Sequence, residues 1–320
     1  MVETHNKDYI FLATYAQLMR QLVGRAPLFE VGVIMAIWNT DRHVLTCDTI
    51  WGIVSGTQEL GESIRQTVHR VVSETCGITI QIDQLVGVYS HPKYSLDGIT
   101  QPWLVGLTGQ LVSGTLPPTA KFRPVEQVRQ RVPALAQQFL QDVLQCPPQH
   151  MCLEPAYTSD YIKSYFPILR AVRPKHPILL PGAVMVVRND AGEFLMIKRA
   201  DMGTWDFPAG LSDLGETATA TAVRETYEET GLHVKPIRAL GLYSEPHIAS
   251  ATYPNGDIVQ TIGMMVEGQI VSGTLTDSSD EVHAVRFWDI DTVRQQPNMR
   301  ELTLQRLHDI QHITDKPILR

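Results

Sequence analysis

Two rhythms of hydrophobic and polar positions run along this chain. Leu28–Trp38 and residues 178–188 are almost unbroken apolar runs of strand length, rich in Val and Ile, which predicts strands buried on both faces. Residues 9–22 and 161–172 instead carry apolar positions at helical spacing, which predicts an amphipathic helix ahead of each strand. Asn189-Asp190-Ala191-Gly192 reads as a hairpin turn into a strand over 193–198. Two further strands are expected over 258–266 and 271–275, and closing helices over 125–144 and 299–310.

These patterns occur twice. Asp8-Tyr9-Ile10 returns as Asp160-Tyr161-Ile162, an offset of 152. Val86-Gly87-Val88-Tyr89-Ser90 returns as Leu240-Gly241-Leu242-Tyr243-Ser244, an offset of 154. Gly109-Gln110-Leu111-Val112-Ser113-Gly114-Thr115-Leu116 returns as Gly268-Gln269-Ile270-Val271-Ser272-Gly273-Thr274-Leu275, an offset of 159. Small loop insertions account for the drift, and a period this long marks a duplicated domain rather than a solenoid unit. The boundary falls near 150–155, where Gln145-Cys146-Pro147-Pro148-Gln149-His150 ends a helical pattern. The chain therefore divides into residues 1–152 and 153–320, each an α/β sandwich built on a mixed sheet.

Composition narrows the function. Of 320 residues, 43% are hydrophobic and 19% charged, enough for two packed cores. A net charge of −7 without any long block of one sign argues against a protein built to grip double-stranded nucleic acid. Cys47, Cys76, Cys146 and Cys152 form no Cys-x-x-Cys pair, so four reduced thiols and no thiolate zinc site are expected. The first residues carry no signal-peptide pattern and the apolar runs are too short to span a bilayer, so a soluble cytoplasmic protein is expected.

One segment carries chemistry. Thr217 to Thr230 holds three alanines and no Gly or Pro, which predicts a helix stopped by Gly231. Glu225, Glu228 and Glu229 stand at i, i+3 and i+4, so three carboxylates share one helical face. Arg224 supplies one positive charge, with Glu216 upstream and Glu228 as partners. The surplus negative charge suits a hard divalent cation such as Mg²⁺ or Mn²⁺, which takes oxygen ligands.

This segment resembles the Nudix box, in which Gly, five residues, Glu, seven residues, Arg-Glu, a bulky aliphatic residue, any residue, Glu-Glu, any residue, Gly and a second aliphatic follow in order. Gly210, Glu216, Arg224, Glu225, Glu228, Glu229 and Gly231 occupy every fixed position, and Thr226 stands where an aliphatic is usual. Trp205-Asp206-Phe207-Pro208-Ala209 before the box and Tyr253-Pro254-Asn255-Gly256-Asp257 beyond it extend the likeness over about 160–310. The resemblance implies two tandem Nudix-fold α/β/α sandwiches and a hydrolase that cleaves a diphosphate linkage in a small nucleotide substrate. It further implies that Glu225, Glu228 and Glu229 hold Mg²⁺ or Mn²⁺ together with the Gly210 carbonyl, and that Arg224 and Glu216 orient them. The general base varies across the family, either a box glutamate such as Glu229 or a carboxylate on a later loop. Asp280-Glu281 sits where such a loop is expected.

Aligned at 154, the first half keeps Gly56, Glu62, Arg70 and Gly77 but has Val71 and Thr75 in place of two box glutamates, leaving Glu74 alone. Residues 1–152 are accordingly expected to be a degenerate, non-catalytic copy, packed on residues 153–320 as a pseudo-dimer or acting as a regulatory ligand-binding module; a homodimer of the whole chain is the further alternative. Pro208-Ala209-Gly210 resembles ADP-ribose pyrophosphatases, and Trp205, Tyr253 and Asp257 are the candidates for substrate contact, with Tyr243 and His247 as further aromatics. Cleavage of a (d)NTP or an RNA 5′ end, and a nucleotide-sensing module that no longer cleaves, are the competing readings.

Overall fold

A computed structural model of the chain describes residues 14–147, 150–253, 255–276, 280–313 and 316–320. The first half runs α1 (Tyr15–Val23), β1 (Leu28–Trp38), β2 (His43–Thr46), β3 (Ser55–Thr57), α2 (Ile64–Cys76), β4 (Ile78–Tyr89), β5 (Thr100–Gly114), β6 (Lys121–Pro124), α3 (Val125–Arg129) and α4 (Ala134–Gln145). The second runs β7 (Thr158–Lys163), α5 (Tyr165–Val172), β8 (Ile178–Val187), β9 (Phe194–Arg199), β10 (Trp205–Asp206), β11 (Ala209–Leu211), β12 (Leu214–Glu216), α6 (Ala218–Thr230), β13 (Leu232–Tyr243), α7 (Pro246–Ala249), β14 (Ser250–Thr252), β15 (Ile258–Gly273), β16 (Val282–Trp288), α8 (Ile290–Gln295), α9 (Glu301–Gln311) and β17 (Ile318–Leu319).

The strand pairing repeats as the sequence does. β1 lies parallel to β5, and β8 parallel to β15. β4 closes the first sheet antiparallel to β5, as β13 does against β15. Period-two alternation then splits each central strand between two cores. Val33, Met35 and Ile37 join Ala183, Met185 and Val187 in one apolar core that runs through both halves. Ile34 and Ala36 face an outer core under α4, while Val184 and Val186 face one under α9. Each sheet is thus sandwiched between its own outer helix and a core shared with the other half.

Polar contacts across that core are reciprocal. The Tyr15 hydroxyl accepts from the Leu179 N–H at 3.0 Å, and the Tyr165 hydroxyl accepts from the Phe29 N–H. Gln101 accepts from the Gly215 N–H at 2.8 Å and donates to the Glu216 carbonyl at 2.8 Å. Gln260 does the same to Gly61 and Glu62, both at 2.7 Å. The Ala218 N–H donates to Ser90 Oγ at 2.8 Å, and the Ile64 N–H to Ser244 Oγ at 3.0 Å. The halves are related by a pseudo-two-fold axis, and each braces the loop that leads into the other's box helix.

Several elements depart from expectation. Residues 161–163 belong to β7, paired antiparallel with β12, so the helix starts only at Tyr165; a local helical pattern lost to a distant partner strand. The expected first helix begins at Tyr15 behind a Thr14 capping box, and residues 9–13, like the Asp8-Tyr9-Ile10 repeat, lie outside the described residues. Residues 125–144 form two helices because Pro133 caps the second. Residues 258–266 and 271–275 are one continuous strand as far as Gly273, since β8 and β13 pair with it along that length. Cys146 and Cys152 form a disulfide across the Pro147 turn, so only Cys47 and Cys76 are free, both buried. No helix among the described residues is long and apolar enough to cross a membrane.

Removing the hydroxyl in Tyr15→Phe leaves the Leu179 N–H unpaired beneath the shared core. This variant is expected to lower unfolding free energy by about 1–3 kcal/mol in chemical denaturation, with Tyr165→Phe costing a similar amount through Phe29.

Candidate active site

Helix α6 forms as its sequence dictates. Thr217 caps it, its Oγ1 accepting from the Ala220 N–H, and Gly231 ends it in the left-handed region at φ 73°. Ala218, Ala220 and Ala222 are buried, so the helix lies close against β8, β11 and β13 and turns its acidic face toward a cavity of about 780 Å³.

Arg224 organises that face. Its Nε donates to Glu216 Oε2 at 3.0 Å and its Nη2 to Glu216 Oε1 at 2.8 Å. Nη2 also reaches the Leu211 carbonyl at 3.0 Å, while Nη1 donates to Glu225 and Glu228 at 2.8 Å each. Glu216 is fully buried, and its Oε1 further accepts from the Asp213 N–H and the Thr221 hydroxyl. One guanidinium thereby ties the strand β11, the loop before the helix and the helix itself into a single unit.

The three box glutamates do not act alike. Glu225 and Glu229 turn inward and are buried, whereas Glu228 lies over Arg224 at the rim with half its side chain exposed. The third partner inside is Glu281, from the segment before β16: carboxylate oxygens of Glu225, Glu229 and Glu281 lie within 4.8 Å of one another. Asp280 and Glu281 line the cavity, and Asp277, Ser278 and Ser279 lie outside the described residues. Burial pushes Glu225 up to about 7 against the pull of Arg224. Burial, reinforced by the Glu225 charge, pushes Glu229 well above the ordinary carboxylate range, although the Ala209 N–H donates to it at 2.9 Å. Carboxylates so placed resist ionising alone and gain most from a cation between them.

Gly210 fits the same purpose. A Cβ there would lie 2.0 Å from the Glu225 carboxyl carbon, so only glycine lets that carboxylate reach its place. In the first half, Gly56 holds the same position against a valine: its Cβ would lie 2.7 Å from Val71 Cγ2. Arg70 repeats the Arg224 clamp, with Nε donating to Glu62 at 2.6 Å, Nη2 to Glu62 at 2.9 Å and to the Thr57 carbonyl at 2.7 Å. The scaffold is present in both halves, and among the described residues the acid cluster stands only in the second.

The expected substrate contacts fare unequally. Tyr253 lines the cavity. Trp205 does not: it is 7% exposed and packs on Trp288 with ring centroids 4.3 Å apart, a core position. Asp257 pairs with Arg170 at 3.0 Å and accepts from Asn255, which spends it on its own turn. Tyr243 is buried with its hydroxyl donating to Asp309, and His247 is a surface side chain. Sequence reasoning did not single out Asp206, Arg300 and Arg306, which come together on the cavity wall. Asp206 stood inside a quoted motif, but the arginines arrive from a helix about 100 residues away, and no local spacing announces them.

Comparison with known proteins shows the family. The NUDIX domain family model matches residues 179–306. A MutT-like protein of Streptomyces ambofaciens is 34% identical over 125 residues, covering 36% of this chain and 77% of that protein. The chain belongs to the Nudix family. The NAD-capped RNA hydrolase NudC of Actinobacillus succinogenes is 30% identical over 122 residues, covering 36% of this chain and 42% of that protein. The chain spans less than half the length of several such relatives. A NUDIX hydrolase structure from Nitrosomonas europaea is 24% identical, covering 44% of this chain and 94% of that one, with a TM-score of 0.37.

Gly210→Ala is expected to displace the Glu225 carboxylate and weaken Mn²⁺ binding by at least ~10-fold in calorimetric titration, because a fixed oxygen ligand is lost. Gly56→Ala, pressing on Val71, is expected to lower stability while leaving Mn²⁺ binding unchanged.

Proposed function

We propose that residues 153–320 form a divalent-metal-dependent pyrophosphohydrolase that cleaves a diphosphate linkage in a nucleoside diphosphate derivative of the ADP-ribose kind. The observation that carries this is the convergence of Glu225, Glu229 and Glu281 within 4.8 Å on the wall of a large cavity, a grouping found among the described residues in one half of the duplicated fold. Glu225 and Glu229 offer carboxylate oxygens, the preference of Mg²⁺ and Mn²⁺, with the Glu281 carboxylate beside them. When bound, the cation neutralises the diphosphate and acidifies the attacking water.

The chain's own residues divide the remaining work. Glu225 and Glu229 hold the cation, and Gly210 keeps room for Glu225. Glu228 closes the rim through Arg224. Arg224 and Glu216 fix the register between helix and loop. Glu281 is exposed and makes no side-chain hydrogen bond among the described residues, which suits its carboxylate to accept the proton of the attacking water. Tyr253 presents an aromatic face where a base or ribose enters. The ADP-ribose assignment rests on Pro208-Ala209-Gly210 and agrees with a relative named for NAD-capped RNA.

Residues 1–152 are proposed as a non-catalytic partner fused to the enzyme. The reciprocal contacts through Gln101 and Gln260 support a pseudo-dimer in which the half without the acid cluster still braces the loop of the other.

A nucleotide panel assayed with Mg²⁺ or Mn²⁺ tests the reading. Release of AMP and a sugar phosphate is expected; NMP with pyrophosphate supports the (d)NTP alternative, and no turnover of any member supports a sensing module. Glu225→Gln and Glu229→Gln are each expected to cut turnover by at least ~10²-fold, while Glu74→Gln leaves it almost unchanged. Equal losses from Glu74 and Glu229 variants would overturn the division of roles between the halves.

A further inference from the structure

The cavity wall is not charged throughout. Phe166 and Pro167 of α5, Ala249 of α7, Ala251 of β14 and Tyr253 of the turn that follows also line it. Two of these side chains are aromatic, and they arrive from elements about 90 residues apart.

One arginine ties those elements together. Arg170 stands four residues after Phe166, on the same face of α5, and its Cζ lies 5.4 Å from the centre of the Phe166 ring. Its Nε is 3.0 Å from Asp257 Oδ1, and its Nη2 donates to the Ile258 carbonyl at 3.0 Å. Asp257 closes the turn that carries Tyr253, its carbonyl accepting from the Tyr253 N–H at 2.8 Å. The helix with one ring and the turn with the other are thereby held in a fixed relation.

The first half shows what the phenyl ring is not needed for. Tyr15 and Tyr165 make the reciprocal contacts across the shared core, so Ala16 stands in the place of Phe166 and Arg20 in that of Arg170. Arg20 still secures its helix, Nη1 donating to the Gly24 and Ala26 carbonyls at 3.0 and 2.8 Å and Nη2 to Thr100 Oγ1 at 2.7 Å. The scaffold closes over an alanine there. In the second half the same position holds a half-buried ring that packs on the shared core and also borders the cavity. An aromatic surface left partly in water gains when a flat apolar group covers it. A nucleobase has such a face, and its stacking on an aromatic ring is tolerant of base identity.

We infer that Phe166 is a specificity-determining residue: with Tyr253 it forms the wall on which the base of the substrate stacks. Diphosphates that carry a nucleobase are thereby favoured over those that do not. The inference rests on the hydrolytic reading of the glutamate cluster for the place of the diphosphate, but the stacking itself needs neither cation nor turnover.

The test is run on the full chain in EDTA with uncharged probes, so that neither the acid cluster nor a cation decides the outcome. Adenosine and ribose are titrated by ligand-observed NMR into the native protein, Phe166→Leu and Phe166→Tyr. Adenosine is expected to bind the native protein at least ~10-fold more tightly than ribose. Phe166→Leu is expected to lose about 10-fold of that affinity, the scale of one base stacked on one ring, and Phe166→Tyr to retain it. Leucine keeps an apolar contact with the core, and the matching position in the first half is an alanine, so the variant retains the fold. With Mg²⁺ and a hydrolysed nucleotide, Phe166→Leu is expected to raise KM by about the same factor at unchanged kcat, the pattern of lost ground-state binding. Adenosine bound no better than ribose, equal affinities in the native protein and Phe166→Leu, or a fall in kcat at unchanged KM overturns the inference. Adenosine binding that follows the expected pattern, with no member of the nucleotide panel hydrolysed, counts against the hydrolytic reading alone.

Discussion

The fold's working end depends on a carboxylate with no access to water. Glu216 is fully buried, and what permits its charge there is the Arg224 fork, backed by the Asp213 N–H and the Thr221 hydroxyl. Removing one partner of such a pair costs about 3–5 kcal/mol, because the survivor stays buried and unmatched. That penalty makes the pair a lock. It holds the helix face in register with β11, and register is what brings Glu225 against Gly210 and Glu229 against the Ala209 N–H.

The first half separates this lock from the chemistry. Arg70 and Glu62 repeat the geometry nearly bond for bond, and the Thr57 carbonyl takes the place of Leu211's. Where Glu225 sits over Gly210, Val71 sits over Gly56. A buried valine needs no cation, and it adds apolar area to the shared core, worth roughly 1.5–3 kcal/mol when fully buried. The lock therefore serves folding in both halves, whereas burying the carboxylates of the acid cluster opposes folding unless a cation offsets their charge. An arginine–glutamate pair at box spacing thus occurs in this fold with and without the acid cluster beside it.

What could be read from sequence follows from how local each cause is. Helix α6 was legible to its ends because Thr217 and Gly231 are local signals, and the buried strands β1 and β8 because an unbroken apolar run is a local signal. Residues 158–163 were not, because β12 pairs with them from about 50 residues away. Trp205 and Asp257 carried residue types suited to ligand contact, but Trp288 and Arg170 claim them, and neither partner is near in sequence. Glu281 was legible by its place after a strand, although not that it would displace Glu228 as the third carboxylate within 4.8 Å. Cys146 and Cys152 were expected to be reduced thiols, but a six-residue separation around a proline turn lets them pair.

The duplication gives these separate facts a common frame. In a symmetric dimer both loops before the box helices would carry the same demand, and any drift on one side would be copied to the other. Fusion into one chain removes that coupling. Gln101 and Gln260 still exchange the same hydrogen bonds across the axis, so the mechanical demand persists on both sides. The acid cluster, among the described residues, stands on one. The first half keeps its glutamine brace, its tyrosine contacts and its arginine lock with Val71 and Thr75 where the second half has Glu225 and Glu229, so the supporting contacts do not depend on those carboxylates.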